Sequence, residues 1–293
     1  ISDLELMSKK QNSKEYVSKP ISFEDKFFDE IKIKVDNLNK YYIINSLYYD
    51  KQGGNVTGLF SAILDANNVE IKKFAFNVFG DTLRSRISDG LYRSAFDNLV
   101  LQQAIVKKDG GFVLTTEDNY TQQRSGPSNS SWDRYNYLYS SPYTYNTDYY
   151  YSNPSYYNGY YRPLGSFNGA QNTRYYYDNI LVLSFDSSLT MQWNTIIPKH
   201  QADDDNDNFL SYSTMNVGSE IHFIYVEEDK NKQIISNQSI FPDGQVKRYP
   251  TLKSREAGFE FMPRLAKQVG YREIIVPCVY RANIAFAKVT FFE

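Results

Sequence analysis

Cysteine is almost missing. The chain has one among 293 residues, Cys278, so no intrachain disulfide can staple the fold. It lies in the apolar run Ile274-Ile275-Val276-Pro277-Cys278-Val279-Tyr280 and reads as a small buried hydrophobe. Histidine is nearly as scarce, with 2 residues. His200 follows Ile197-Pro198-Lys199 in a turn, and His222 alternates with Ile221 and Phe223 in a strand. No two-histidine ligand spacing exists, which excludes an ordinary catalytic zinc site. A nucleophile elbow and a Walker loop are both missing, and the pairs Gly53-Gly54 and Gly110-Gly111 sit in hairpins rather than before helices. No catalytic residue and no cofactor is implied. No apolar stretch approaches the ~18 residues of a membrane span. The segment from Ile1 to Lys10 has no signal-peptide core, which suggests a processed chain or a piece of a longer one. Net charge is only -2, so there is no global basic field to draw in nucleic acid or anionic lipid. Arg84, Arg86, Arg93, Lys247 and Arg248 read as solvated faces, with neither a basic stripe nor a nucleic-acid fold motif.

Aromatic residues, by contrast, are abundant. There are 27 Tyr and 19 Phe against 10 Pro and 15 Gly, a balance that favours strands, because flat rings fit a pleated, half-buried surface. Four strand-length runs read alike: Gly58 to Asp65, Asn179 to Asp186, Lys232 to Ile240 and Asn283 to Phe291. In the first three a polar turn and a second strand follow, Val69 to Phe76, Met191 to Ile197 and Gln245 to Leu252. The turns are Asp65-Ala66-Asn67-Asn68, Asp186-Ser187-Ser188 and Pro242-Asp243-Gly244, whose residues tolerate positive φ or bond back to their own backbone. A strand precedes each run (Lys40 to Tyr49, Gly111 to Glu117, Glu220 to Glu227, Arg272 to Tyr280). Another lies before three of these: Asn98 to Lys107, Phe209 to Asn216 and Phe261 to Val269. Phe27 to Val35 takes that place in the first unit. The unit is therefore four antiparallel strands in meander order.

A small apolar meander cannot bury both its faces alone, and stacking such units around an axis solves that. The expected fold class is all-β, a β-propeller-type repeat of four-stranded antiparallel blades, part of a larger propeller. A β-sandwich is the alternative, but Greek-key connections would scramble the repeat order. Leu83, Ile87, Leu91 and Ala95 recur at helical spacing, yet Gly90 interrupts them, so at most a short helix is expected there. Residues 1–20 read as a partial blade, its third and fourth strands, and residues 21–293 as about four blades with an insert at 120–177.

The segments Lys108-Asp109-Gly110-Gly111-Phe112-Val113-Leu114, Tyr177-Asp178-Asn179-Ile180-Leu181-Val182, Trp193-Asn194-Thr195-Ile196-Ile197-Pro198-Lys199 and Lys288-Val289-Thr290-Phe291 resemble a group of uncharacterised exported proteins of the Gram-negative envelope. The resemblance covers mainly the second unit and the C-terminal strands. It implies a propeller-like repeat and a periplasmic or cell-surface location, and it supplies no catalytic residues. Members are usually longer and lack the insert.

Within that insert aliphatic residues almost vanish, and Tyr, Ser, Asn, Gly and Pro take over. Trp132, Tyr135, Tyr137, Tyr139, Tyr143, Tyr145, Tyr149, Tyr150, Tyr151, Tyr156, Tyr157, Tyr160 and Tyr161 are its candidate partner-binding residues. Rigid amphipathic rings beside adaptable hydrogen-bonding groups are the chemistry of antibody paratopes. The plainer reading is that Tyr-rich strands extend a hairpin and pack on the rim. The functional expectation is a non-enzymatic binding or scaffold subunit at the cell envelope. Its protein partner would be an outer-membrane assembly. A glycan-binding or glycan-active propeller is the alternative. Asp203, Asp205 and Asp207 alternate like the first half of a calcium loop, but the glycine and distal glutamate of that loop are missing, so a solvated acidic tip is expected.

Overall fold

A computed structural model describes residues 3–9, 16–23, 25–67, 70–87, 95–124, 172–204, 206–229, 232–253 and 258–291. Strands β1 (Asp3–Ser8) and β2 (Val17–Ser22) form a two-stranded sheet of their own. The first blade follows: β3 (Phe27–Asp36), β4 (Tyr41–Tyr49), β5 (Gly58–Asp65) and β6 (Ile71–Val78), paired in that order. A helix of one to two turns, α1 (Asp81–Ile87), leads out of it, burying Leu83 and Ile87. The second blade is β7 (Leu99–Val106), β8 (Phe112–Arg124), β9 (Asn172–Phe185) and β10 (Met191–Ile197), with β11 (Gln201–Asp203) also paired to β9. The third is β12 (Tyr212–Val217), β13 (Glu220–Asp229), β14 (Lys232–Ile240) and a broken outer strand, β15 (Val246–Arg248) and β16 (Leu252–Lys253). In the fourth, β17 (Phe259–Phe261) and β18 (Lys267–Gly270) share one edge of β19 (Glu273–Tyr280), and β20 (Asn283–Thr290) takes the other. The chain is thus an all-β, propeller-type succession of antiparallel meander blades.

Two strands expected to be continuous are broken, and in each case proline is the reason. Pro250 lies between β15 and β16, and Pro263 opens a 3-10 turn, Pro263–Leu265, between β17 and β18. Proline has no N–H to give a ladder, so the strand stops and restarts beyond it.

Five of the hairpin turns share one device. The Oδ1 atoms of Asp36, Asp65, Asp109, Asp186 and Asp243 accept the N–H two residues on, from Leu38, Asn67, Gly111, Ser188 and Gln245, at 2.8–3.0 Å. Such a side chain stands in for a backbone turn partner and sets hairpin length.

Blades pack face to face. On β5 alternate residues serve two cores: Leu59 and Ile63 pack toward the second blade with Phe112, Leu114, Leu181, Leu183 and Phe185. Phe60, Ala62 and Leu64 lie on the other face with Phe28 and Tyr48, where the ring of Phe23 also packs. Val113, Ile180 and Val182 meet Tyr212, Phe223 and Tyr225 between the second and third blades. Ile224, Val226 and Ile235 meet Ile274, Val276 and Cys278 between the third and fourth. Burial on both faces explains why the middle strands read as continuous apolar runs.

A second contact repeats along the outer rim. Lys73 Nζ and Asn77 Nδ2 of β6 donate to the carbonyls of Ser187 and Leu189 in the next blade's last hairpin turn, at 3.1 and 3.0 Å. One blade further on, Trp193 Nε1 and Thr195 Oγ1 of β10 donate to the carbonyls of Pro242 and Gly244, at 2.8 and 2.7 Å. Gly244 is required there. Its φ is +85°, and a Cβ would come within 2.9 Å of the Trp193 ring.

His222 is buried at the junction of the third and fourth blades. Its Nδ1 is 3.1 Å from Asn237 Oδ1, its Nε2 is 3.7 Å from Glu220 Oε2, and Tyr249 and Phe291 flank its ring. Burial pushes its pKa below the ordinary 6.5. Asn237 and Glu220 oppose that shift, while Arg272 and Lys247 reinforce it. The unfolded chain therefore takes up a proton more readily than the folded one. This contribution to stability is whole above pH 6.5 and is lost as pH falls from there toward the folded-state pKa. His222→Gln should flatten the acid side of a melting-temperature profile below pH 6.5, and an unchanged slope would contradict it.

Candidate functional site

The strands β8 and β9 are the longest in the fold, at 13 and 14 residues. They pair in register from Phe112↔Phe185 to Arg124↔Asn172, with a break between Glu117 and Asn119. At that break the pair leaves the body of the blade. Beyond it β9 is flanked by β11, with Gln201↔Tyr177, Ala202↔Tyr176 and Asp203↔Tyr175. The result is a β-arm. The insert therefore springs from the tip of this arm, further out than the expected start at 120. Trp132, Tyr135, Tyr137, Tyr139, Tyr143, Tyr145, Tyr149, Tyr150, Tyr151, Tyr156, Tyr157, Tyr160 and Tyr161 all lie outside the described residues.

The arm carries an aromatic stack. Tyr120 and Tyr176 are direct cross-strand partners, their rings 4.7 Å apart and tilted by 11°. The Arg174 guanidinium lies 5.5 Å from the Tyr176 ring centre, and the His200 ring stands 6.4 Å away on another side. His200 is exposed and its Nδ1 meets Asp178 Oδ1 at 2.6 Å. Each of these ring contacts contributes about 0.5–1.5 kcal/mol and fixes the orientation of the ring.

Beneath the stack lies a buried ionic root. Lys199 Nζ sits 2.8 Å from Glu117 Oε1, with both side chains wholly enclosed. The same ammonium donates to the Tyr177 carbonyl at 2.7 Å and to Gln201 Oε1 at 2.9 Å. Ser211 Oγ donates to Glu117 Oε2, and Gln201 Nε2 to the Val226 carbonyl, at 2.5 and 2.7 Å. Burial pulls the Lys199 pKa below the ordinary lysine range, against the pull of the Glu117 charge. Burial, with the same carboxylate nearby, pushes the Tyr212 phenol well above its ordinary range.

A second tier joins three blades. Tyr177 OH donates to Asp207 Oδ2 at 2.8 Å, and Arg264 Nη1, from the fourth blade, meets that oxygen at 2.7 Å and Tyr177 OH at 3.2 Å. Burial works against the Asp207 carboxylate, but the Arg264 guanidinium and the Tyr177 hydroxyl outweigh it and hold its pKa below the usual range. The acidic run is thus no simple solvated tip, since Asp207 turns inward to this pair. Asp204 faces Arg174 at 3.5 Å, and Asp203 Oδ1 accepts the Asn206 N–H at 3.3 Å. Asp205 lies outside the described residues, and among those described no three His, Cys, Asp or Glu side chains are placed to hold a metal.

The scattered basic residues are also tied down. Arg84 Nη2 donates to the Val56 carbonyl at 3.0 Å, Arg86 Nη1 to Asn194 Oδ1 at 3.1 Å, and Arg248 pairs with Glu227 at 2.9 Å. An open cleft of about 560 Å³ lies away from the arm, lined by Pro20, Phe23, Ile71, Lys72, Lys73, Phe74 and Ser188. It gathers two cations and no carboxylate, so it offers no acid–base pair. Among the described residues no helix is long and apolar enough to cross a membrane.

No family model matches the chain, and no curated protein matches it. Solved structures similar to it include the WD40 domain of SCAP from fission yeast, at 9% identity and a TM-score of 0.32, covering 94% of this chain and 53% of that one. The chain spans about half the length of that structure. A levansucrase mutant from B. subtilis is similar at 8% identity and a TM-score of 0.25, over 92% of this chain and 85% of the other. A GH43 β-1,3-galactosidase with galactodeoxynojirimycin is similar at 10% identity and a TM-score of 0.24, over 91% of each chain. Likenesses this distant carry no argument about function, and the fold rests on the sheets themselves.

Proposed function

We propose that the protein is a non-enzymatic binding subunit that presents residues 125–171 to a protein partner from a rigid β-arm. The observation that carries this is the root of the arm, where the enclosed Lys199–Glu117 pair and the Tyr177–Asp207–Arg264 junction tie the exit of the insert to three blades. A loop that only filled a rim would need no such anchorage. A binding surface gains from it, because rigid presentation removes ordering cost at the moment of association. The stacked Tyr120 and Tyr176 begin on the arm the chemistry that the insert continues: flat rings with polar edges, the type that dominates protein interfaces. The setting that goes with this reading is the Gram-negative envelope, as the resemblance of the repeat segments implies, with an outer-membrane assembly as the partner.

The test is affinity capture from native membranes with the intact protein and with a version lacking residues 125–171. The intact protein should retain a specific co-purifying protein and the shortened one should lose it. Replacing Tyr120 and Tyr176 together by alanine should weaken the capture without changing the melting temperature by more than a few degrees. If the shortened protein keeps every partner yet no longer binds a polysaccharide array, the protein-binding reading fails and glycan binding replaces it.

A further inference from the structure

The outer strand of the first blade borders the open cleft of about 560 Å³, and it turns main chain as well as side chains toward it. Phe79 N–H donates to the Thr57 carbonyl at 3.0 Å, and along an antiparallel pair such groups alternate in direction. Asn77, Ala75 and Lys73 therefore turn their N–H and C=O toward β5, and Phe74 turns its own outward. Past the register shift between Ile63 and Leu64 the phase restarts. There Asp65 N–H donates to the Glu70 carbonyl at 2.9 Å, so Ile71 also faces out. Ile71 and Phe74 both line the cleft, and among the described residues no strand pairs with this edge of β6.

The two flanks of the cleft differ. On one, the exposed Lys73 reaches toward the second blade, where its ammonium donates to the Ser187 carbonyl at 3.1 Å beside Ser188. No carboxylate among the described residues pairs with it, whereas its neighbour Lys72 is matched by Asp65 at 2.7 Å. On the other flank Phe74 is 53% exposed, its ring 4.9 Å from that of Phe23, with Pro20 alongside. The cleft thus offers main-chain donors and acceptors along its middle, an unmatched cation on one side and an apolar wall on the other. An extended chain matches that set, because its side chains alternate between two faces while its N–H and C=O lie between them.

We propose that this cleft takes an extended peptide segment whose residues alternate between acidic and apolar, added to the edge of β6 as a further strand of the first blade. Its acidic side chains lie toward Lys73 and its apolar ones toward Phe23 and Phe74. Charge complementarity selects this occupant. A second copy of β6 would bring its own pair of lysines to the same edge, and like charges on paired strands repel. The site lies away from the β-arm and stands whether or not residues 125–171 bind a partner.

Titration calorimetry with short peptides blocked at both ends tests it. The alternating peptide Val-Glu-Val-Glu-Val-Glu should bind. The same residues in two blocks, Val-Val-Val-Glu-Glu-Glu, should bind at least about tenfold more weakly, and Val-Lys-Val-Lys-Val-Lys should not bind. Lys73→Glu and Phe74→Ser should each weaken the alternating peptide by about tenfold. Melting curves check that the variants fold; if Lys73→Glu does not, Lys73→Gln replaces it. Two further peptides carry N-methyl groups on every Val or on every Glu, which blocks one main-chain edge or the other. One of them should keep the affinity and the other lose it. An alternating peptide that does not bind overturns the proposal. So does one bound no better than the block peptide, an affinity unmoved by Lys73→Glu, or an equal effect of the two methylation patterns.

Discussion

Replacing Lys199 by methionine should destabilise the protein by about 3–5 kcal/mol, because it leaves the Glu117 carboxylate enclosed without its counter-ion. Glu117 would keep the Ser211 hydroxyl and the long contact from Gln102 Nε2 at 3.4 Å, neither of which supplies a charge. The Tyr177 carbonyl and Gln201 Oε1 would lose their donor as well. Adding Glu117→Gln to Lys199→Met should recover a large part of the loss, since it removes the stranded charge and keeps a polar group for Ser211. Urea unfolding of the single and double variants measures both steps. A Lys199→Met protein within about 1 kcal/mol of the parent would mean that water reaches the pair, and the rigid root would then be no anchor.

The second large effect should come from Phe185→Ala. Phe185 is fully enclosed between the first two blades and stacks on its cross-strand partner Phe112 at 4.9 Å. Truncation leaves a cavity between two sheets that are fixed by their other strands and cannot collapse into it. About 3–5 kcal/mol should be lost, read as a lower urea midpoint at unchanged slope. Phe286→Ala is the matched control. The same residue type on an exposed strand face should change stability by no more than about 0.5 kcal/mol. Equal losses at the two positions would show that the exposed face of β20 is covered in solution.

The contrast between these two phenylalanines marks how far the sequence could be read. Both sit in apolar runs of strand length, and both strands were legible from alternation and from the turns beside them. Asp65, Asp186 and Asp243 announced their hairpins because an aspartate side chain closes a turn by itself, within two residues of chain. Leu83 and Ile87 likewise gave the short helix through a purely local spacing. What was not legible is pairing between distant segments. Nothing local in Lys199 distinguishes it from a surface lysine after a proline, and its partner Glu117 belongs to another strand. Asp207 reads as one of several acids until Arg264 arrives from the fourth blade. The length of β8 and β9 was hidden for the same reason, because polar residues such as Gln122 and Gln123 become strand only by facing Arg174 and Thr173 across the insert. The breaks in the outer strand of the third blade and the inner strand of the fourth could have been found, since Pro250 and Pro263 were in plain view.

The rim contacts give the stack a direction. The outer strands of the first two blades reach forward with side-chain donors, from Lys73 and Asn77, then from Trp193 and Thr195, and what they grip in the following blade is a main-chain carbonyl. Because the acceptor is backbone, the gripped turn is constrained by its path and by the room the donor needs, as Gly244 beneath the Trp193 ring shows, and its other side chains do not make the contact. The second blade has both the gripped carbonyls and the donors, so copied in tandem it would bring along both halves of the joint. Lengthening such an array by duplication is therefore easy, whereas a blade turned end for end would meet its neighbours donor to donor and be rejected.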